Sequence, residues 1–170
     1  LNTVPYTGNV RKASDLLTSM HYDIMQDMDS IIEEAFSNDG FSVYYQPIYS
    51  VQDKRFSSAE ALLRLKNEKY GFISPEIFIP AAERSGMIHR IGDFVLEEVC
   101  KFIASDDFKS LNLDYIEVNL SVLQCMQSDL VEHIINILEK HGVRPEQINL
   151  EITETAASVS QQALNDNINA

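Results

Sequence analysis

Ser57-Ser58-Ala59-Glu60-Ala61-Leu62-Leu63-Arg64-Leu65 has the make-up of a strand buried in a sheet, yet it carries an acid and a base. Side chains alternate along a strand, so Ser58, Glu60, Leu62 and Arg64 share one face and Ala59, Ala61, Leu63 and Leu65 share the other. A charge on a buried face is costly unless it is paired, so the presence of Glu60 needs a physical reason.

The same alternation recurs in three more segments. In Tyr115 to Leu120, Ile116, Val118 and Leu120 oppose Glu117 and Asn119; in Ile148 to Thr153, Ile148, Leu150 and Ile152 oppose Asn149, Glu151 and Thr153; in Phe41 to Ile48, Tyr44 and Gln46 share a face. Each strand therefore has an apolar face fit to lie beneath helices and a second face with a polar residue near or past its middle. A parallel sheet covered on both sides reads as nearly continuous Val, Ile and Leu, whereas a (β/α) barrel gathers polar residues at the C-terminal mouth of its lumen. The inward set is Gln46, Glu60 with Arg64, Asn119 and Glu151.

Helices fall between these strands at βαβ spacing. Leu17, Met20, Ile24, Met28, Ile31 and Ile32 predict a helix from Ser14 to about Phe36, stopped by Asn38-Asp39-Gly40. Ser74 caps a helix with Pro75 at its first position, ended by Ser85-Gly86. Others span about His89 to Ile103, with Ile91, Phe94, Val95, Val99 and Phe102 as the apolar stripe, Ser128 to Lys140, and about Ala156 to Leu164. The expected fold class is α/β, part of a TIM-like barrel behind an N-terminal helix.

Two carboxylates and a carboxamide crowded into a concave site repel one another unless a cation joins them. An all-oxygen set without Cys or His suits Mg²⁺ or Mn²⁺ rather than zinc, and Arg64 can grip a phosphate through two hydrogen bonds. Metal, arginine and acids together read as phosphoester chemistry. Taken singly, each residue has a plainer reading: a solvated acid at a strand end, or a structural Glu60–Arg64 salt bridge. The shared parity is what favours a site. His21, His89, His133 and His141 lie on helices or helix ends and read as surface residues, and Glu97-Glu98 as a solvated helix face.

Composition bounds the partners. The 170 residues suffice for one domain with a sizeable core, and 26 acids against 13 bases give a net charge of -13, which disfavours a nucleic-acid polymer or an anionic membrane surface. Cys100 and Cys125 have no Cys or His at ligand spacing and read as partly buried thiols of a reducing cytosol. No apolar run reaches the roughly 20 residues of a membrane span, and the N-terminus lacks the order of a signal peptide. The expected location is cytoplasmic, with membrane anchoring of a longer parent left open.

Five ordered segments resemble the EAL-domain family, bacterial cyclic-di-GMP phosphodiesterases: Tyr45-Gln46-Pro47-Ile48, Glu60-Ala61-Leu62-Leu63-Arg64, Phe78-Ile79-Pro80 with Ala82-Glu83, Val118-Asn119-Leu120-Ser121, and Glu151-Ile152-Thr153-Glu154. The resemblance covers about Phe41 to Thr155. It implies a TIM-like barrel whose first strand runs antiparallel to the rest, binding cyclic di-GMP across its mouth. Glu60, Asn119 and Glu151 would be ligands of Mg²⁺ or Mn²⁺, with Glu60 and Glu151 the catalytic pair. Gln46 and Arg64 would contact substrate, and Glu154 would brace an active-site loop. The product would be the linear dinucleotide.

The family pattern continues with an aspartate pair, a lysine, a glutamate and a glutamine that have no counterpart among these residues. The organisation expected is a lead-in and connector helix over 1–40 and the N-terminal half of an EAL-type barrel over 41–170. Three alternatives follow: a stretch of a longer phosphodiesterase, two half-barrels associating as a homodimer that binds without turnover, or a degenerate module that contacts a partner protein. The 170-residue chain alone is expected to hydrolyse cyclic di-GMP negligibly. The N-terminal helix, by resemblance, suggests an upstream sensory or GGDEF domain.

Overall fold

The computed structural model describes residues 9–152, with side chains from Thr18 onward. The predicted helix over 156–164, together with Thr153 and Glu154, lies outside the described residues. Elements run in the order α1 (Asn9–Ser37), β1 (Phe41–Ser50), β2 (Arg55–Asn67), β3 (Gly71–Ile73), α2 (Pro75–Ser85), α3 (Ile88–Ala104), α4 (Asp106–Leu111), β4 (Tyr115–Leu120), α5 (Val122–Cys125), α6 (Leu130–His141), a 3-10 turn (Pro145–Gln147) and β5 (Ile148–Ile152).

The strands form one mixed sheet in the order β1-β2-β4-β5, with the short β3 paired to β2. β1 is antiparallel to β2, while β4 runs parallel to both β2 and β5. The antiparallel first strand implied by the resemblance is therefore present. Between β1 and β2 the register slips, because Ile48 faces Ser58 but Tyr49 faces Phe56, leaving Ser57 as the extra residue of a bulge. β3 is an addition to the sequence reading, since three residues are too few to display alternation.

Local chemistry fixes the helix ends. Ser74 Oγ accepts from Glu76 N–H, Pro75 opens α2, and Gly86 closes it in the left-handed region at φ 78°, its N–H donating to Glu83 O. Gly142 closes α6 in the same way at φ 66°. Helices cover the apolar face of the sheet: Ala59, Ala61 and Leu65 of β2 and Ile116, Val118 and Leu120 of β4 are buried beneath Ile91, Val95, Val99 and Ile103 of α3 and their neighbours. Phe36, Phe41, Phe78 and Phe94 form an aromatic knot, with ring centroids 5.0 Å apart for Phe36 and Phe41 and 5.7 Å for Phe41 and Phe94.

α1 enters this core only from Ile24 onward, through Met28, Ile31, Ile32 and Ala35. Met20, placed in the apolar stripe by periodicity, is exposed along with Tyr22 and Met25. α1 makes its main packing against α2 and β2, and the helix outruns both at its N-terminal half. No helix among the described residues is long and apolar enough to cross a membrane.

Candidate functional site

The pleat brings the predicted residues to one face. Gln46 on β1 is the cross-strand partner of Glu60 on β2, Glu60 is in register with Glu117 on β4, and Glu117 with Asn149 on β5. One pleat closer to the C-terminal ends, Asn119 is in register with Glu151. One polar row thus crosses the sheet on the side opposite the helices, and a shorter one spans β4 and β5. The Asn119 carboxamide links them, donating from Nδ2 to Glu60 Oε1 at 2.8 Å.

Glu117 is the member that the inward set omitted. Its parity places it on this face, one pleat before Asn119. Burial, then the carboxylates of Glu151 and Glu60, push its carboxyl above the usual range, while hydrogen bonds from Asn149 and Tyr115 pull it back. The negative potential of the row is therefore felt by its own members. One pleat below, Ser58 is 1% exposed and its Oγ finds no hydrogen-bond partner.

Arg64 does not pair with Glu60. Its guanidinium donates to the backbone carbonyl of Leu63 at 3.0 Å and lies 5.8 Å from the Tyr44 ring centroid. Among the described residues Glu60 takes part in no ion pair, so the structural salt-bridge reading of these two residues falls away. Gln46 and Glu151 are exposed, and Glu154 lies outside the described residues. A pocket of about 610 Å³ opens beside this face, lined among others by Glu60, Arg64, Glu83, Asn119, Ser121 and Gln124.

The donor set is all oxygen. Among the described residues no three His, Cys, Asp or Glu side chains gather closely enough to hold a cation by themselves. The two predicted carboxylates and the Asn119 carboxamide would have to supply the ligands together. A cation at this face would offset the charges of Glu60, Glu117 and Glu151, and the all-oxygen donor set fits Mg²⁺ or Mn²⁺ with further ligands from elsewhere.

Of the histidines read as surface residues, His21 and His133 are exposed, while His89 and His141 are partly covered. His133 is exposed but bound to Asp93, at 2.7 Å, while His141 is mostly covered and bound to Glu97 at 2.6 Å, so both tie α6 to α3. His89 Nδ1 is buried without a partner. Glu97 is likewise no simply solvated acid, since Lys140 also reaches it at 2.6 Å.

The EAL domain family model matches residues 29–170, beginning inside α1. Among curated relatives, the bifunctional diguanylate cyclase/cyclic di-GMP phosphodiesterase MucR of Pseudomonas aeruginosa is 34% identical over 132 residues, covering 74% of this chain and 18% of the relative. The cyclic di-GMP phosphodiesterase NbdA of the same organism is 31% identical over 134 residues, covering 76% and 16%. Among solved structures, the PaMucR phosphodiesterase in its c-di-GMP complex has a TM-score of 0.76 at 30% identity, covering 84% of this chain and 58% of that one. The cAMP-bound EAL enzyme Bd1971 has a TM-score of 0.72 at 26% identity, covering 98% and 48%. The chain thus spans about half the length of these solved structures and 16–18% of these two curated relatives.

Proposed function

The chain belongs to the EAL domain family, and from that premise we propose that it supplies the Glu60, Asn119 and Glu151 side of a site that hydrolyses cyclic di-GMP to the linear dinucleotide. One observation carries the reading: the Asn119 carboxamide rests on Glu60 at 2.8 Å while Asn119 stands in register with Glu151. Residues 59 positions apart in sequence are hydrogen-bonded across β2 and β4 on the polar face of the sheet.

Glu60, Asn119 and Glu151 would hold Mg²⁺ or Mn²⁺, which when bound would acidify water and offset charge on phosphorus. The chain's own residues do the rest. With Nδ2 committed to Glu60, the Oδ1 of Asn119 remains free to accept or ligate. Arg64, unpaired with any carboxylate among the described residues, can turn from the Leu63 carbonyl to two phosphate oxygens. Gln46, on the neighbouring strand, can hydrogen-bond the same ligand. On this reading residues 41–170 form half of a TIM-like barrel, residues 1–40 connect it to an upstream sensory or GGDEF domain, and the protein works in the cytoplasm.

The test incubates a protein carrying the complete EAL domain with Mn²⁺ and cyclic di-GMP and separates the nucleotides by chromatography. Wild type is expected to give linear dinucleotide, Glu60→Ala none detectable, and Arg64→Ala a reduced rate. Wild-type turnover in Glu60→Ala would overturn the reading.

A further inference from the structure

Asn119 is exposed on the site face, where its carboxamide reaches Glu60 and its backbone runs in register with Glu151. That backbone is anchored again two residues on, at Ser121, where β4 ends and α5 begins. Ser121 is buried, and three separate contacts converge on it. Its Oγ donates to Glu83 Oε1 of α2 at 2.5 Å and accepts from Leu123 N–H at 3.3 Å, and its own N–H donates to Gln124 Oε1 at 3.1 Å. Gln124 is buried in turn against Gly92 of α3, where an added Cβ would stand 1.8 Å from Nε2.

These contacts differ in kind. The Leu123 bond is an ordinary N-cap and the Gln124 bond belongs to a capping box, both local, so they would travel with α5 wherever that short helix went. The Glu83 bond spans 38 residues and ties the end of β4 to a different helix. An ionised carboxylate can only accept, and a hydroxyl has one proton to give, so this pairing is charge-assisted and directional. Leu120, between Ser121 and Asn119, is itself buried, so a single packed residue separates the tie at Ser121 from Asn119.

We infer that Glu83 is a positioning residue: through Ser121 Oγ it fixes the end of β4 so that the Asn119 carboxamide stays on Glu60. Its consequence for cation binding rests on the function proposed above, whereas the positioning itself does not. Glu83 hydrogen-bonds Ser121 rather than Asn119 or Glu60, and acts through the backbone between them.

The experiment reads the side-chain amide resonances of Asn119 in the metal-free protein, assigned by comparison with Asn119→Asp. In Glu83→Ala these resonances are expected to shift and to exchange with water roughly fivefold to tenfold faster. In Glu83→Gln, whose amide oxygen can still accept from Ser121, they are expected to return most of the way to wild type. Ser121→Ala removes the donor from the other side and should reproduce the shift, which keeps the test available if Glu83→Ala fails to fold. In a second arm Mn²⁺ is titrated into each variant within a protein carrying the complete EAL domain, and Glu83→Ala is expected to bind several-fold more weakly than wild type. Asn119 resonances unmoved in both Glu83→Ala and Ser121→Ala would overturn the inference. Resonances that move in a protein whose wild type takes up no Mn²⁺ would uphold the positioning and refute the metal reading instead.

Discussion

Replacing Gly92 by alanine puts a methyl group on the second turn of α3 at 1.8 Å from Gln124 Nε2, a separation no non-bonded pair of heavy atoms tolerates. The helix itself should welcome the change, since alanine in a helix interior is favoured over glycine by about 1 kcal/mol. Gln124 must then leave, and with it goes the acceptor for the buried Ser121 N–H. An orphaned buried donor costs about 1–3 kcal/mol, so the net effect is a loss of roughly 0–2 kcal/mol. In a Gln124→Ala background the obstructing amide is gone, and the same substitution should stabilise by about 1 kcal/mol. The four proteins of this cycle, compared by urea denaturation at fixed pH, should show a coupling of about 1–3 kcal/mol. A Gly92→Ala effect of the same sign and size in both backgrounds would refute the argument that Gln124 occupies the space left by the missing Cβ.

Two further outcomes follow from the packing and the charges. Phe78 is completely buried at the aromatic knot, so Phe78→Ala should cost roughly 3–5 kcal/mol, which lowers Tm by roughly 6–20 °C at this chain length; a calorimetric shift below that range would mean the cavity collapses. Glu97 is held below the usual carboxylate range by Lys140 first and then His141, with burial opposing. Its folded pKa is lower than its unfolded one, so its contribution is complete above the ordinary value of about 4.3 and is lost as pH falls through the folded pKa. Glu97→Gln should therefore flatten the acid limb of a Tm-against-pH curve at low salt, and an unchanged limb would show that the Lys140 contact contributes nothing.

The legible parts of the fold were those governed by short-range geometry. Alternation along Ser58 to Arg64 placed Glu60 opposite the helices because a pleat leaves no other choice, and Ser74-Pro75 and the glycines at 86 and 142 marked helix ends through their own backbone needs. Periodicity overreached at Met20, where the helix keeps its pattern after the surface it would pack against has ended. The site was half visible. Parity could bring Asn119 and Glu60 to one face, but it could not say that Arg64 would turn to Leu63 and Tyr44 rather than to Glu60. Glu83 belongs to one of the five segments that carry the family resemblance, yet its tie to Ser121 joins elements whose approach depends on tertiary packing. No local pattern records it.

The bulge at Ser57 settles how this strand can vary. Between Ser58 and Arg64 a single inserted or deleted residue would rotate either Glu60 or Arg64 to the helix side and bury a charge in the apolar layer. Side chains there can be exchanged, but the number of residues cannot change. The looped-out position just upstream already absorbs one unmatched residue, so it is where the hairpin can lengthen or shorten while the acid and the base keep their common orientation.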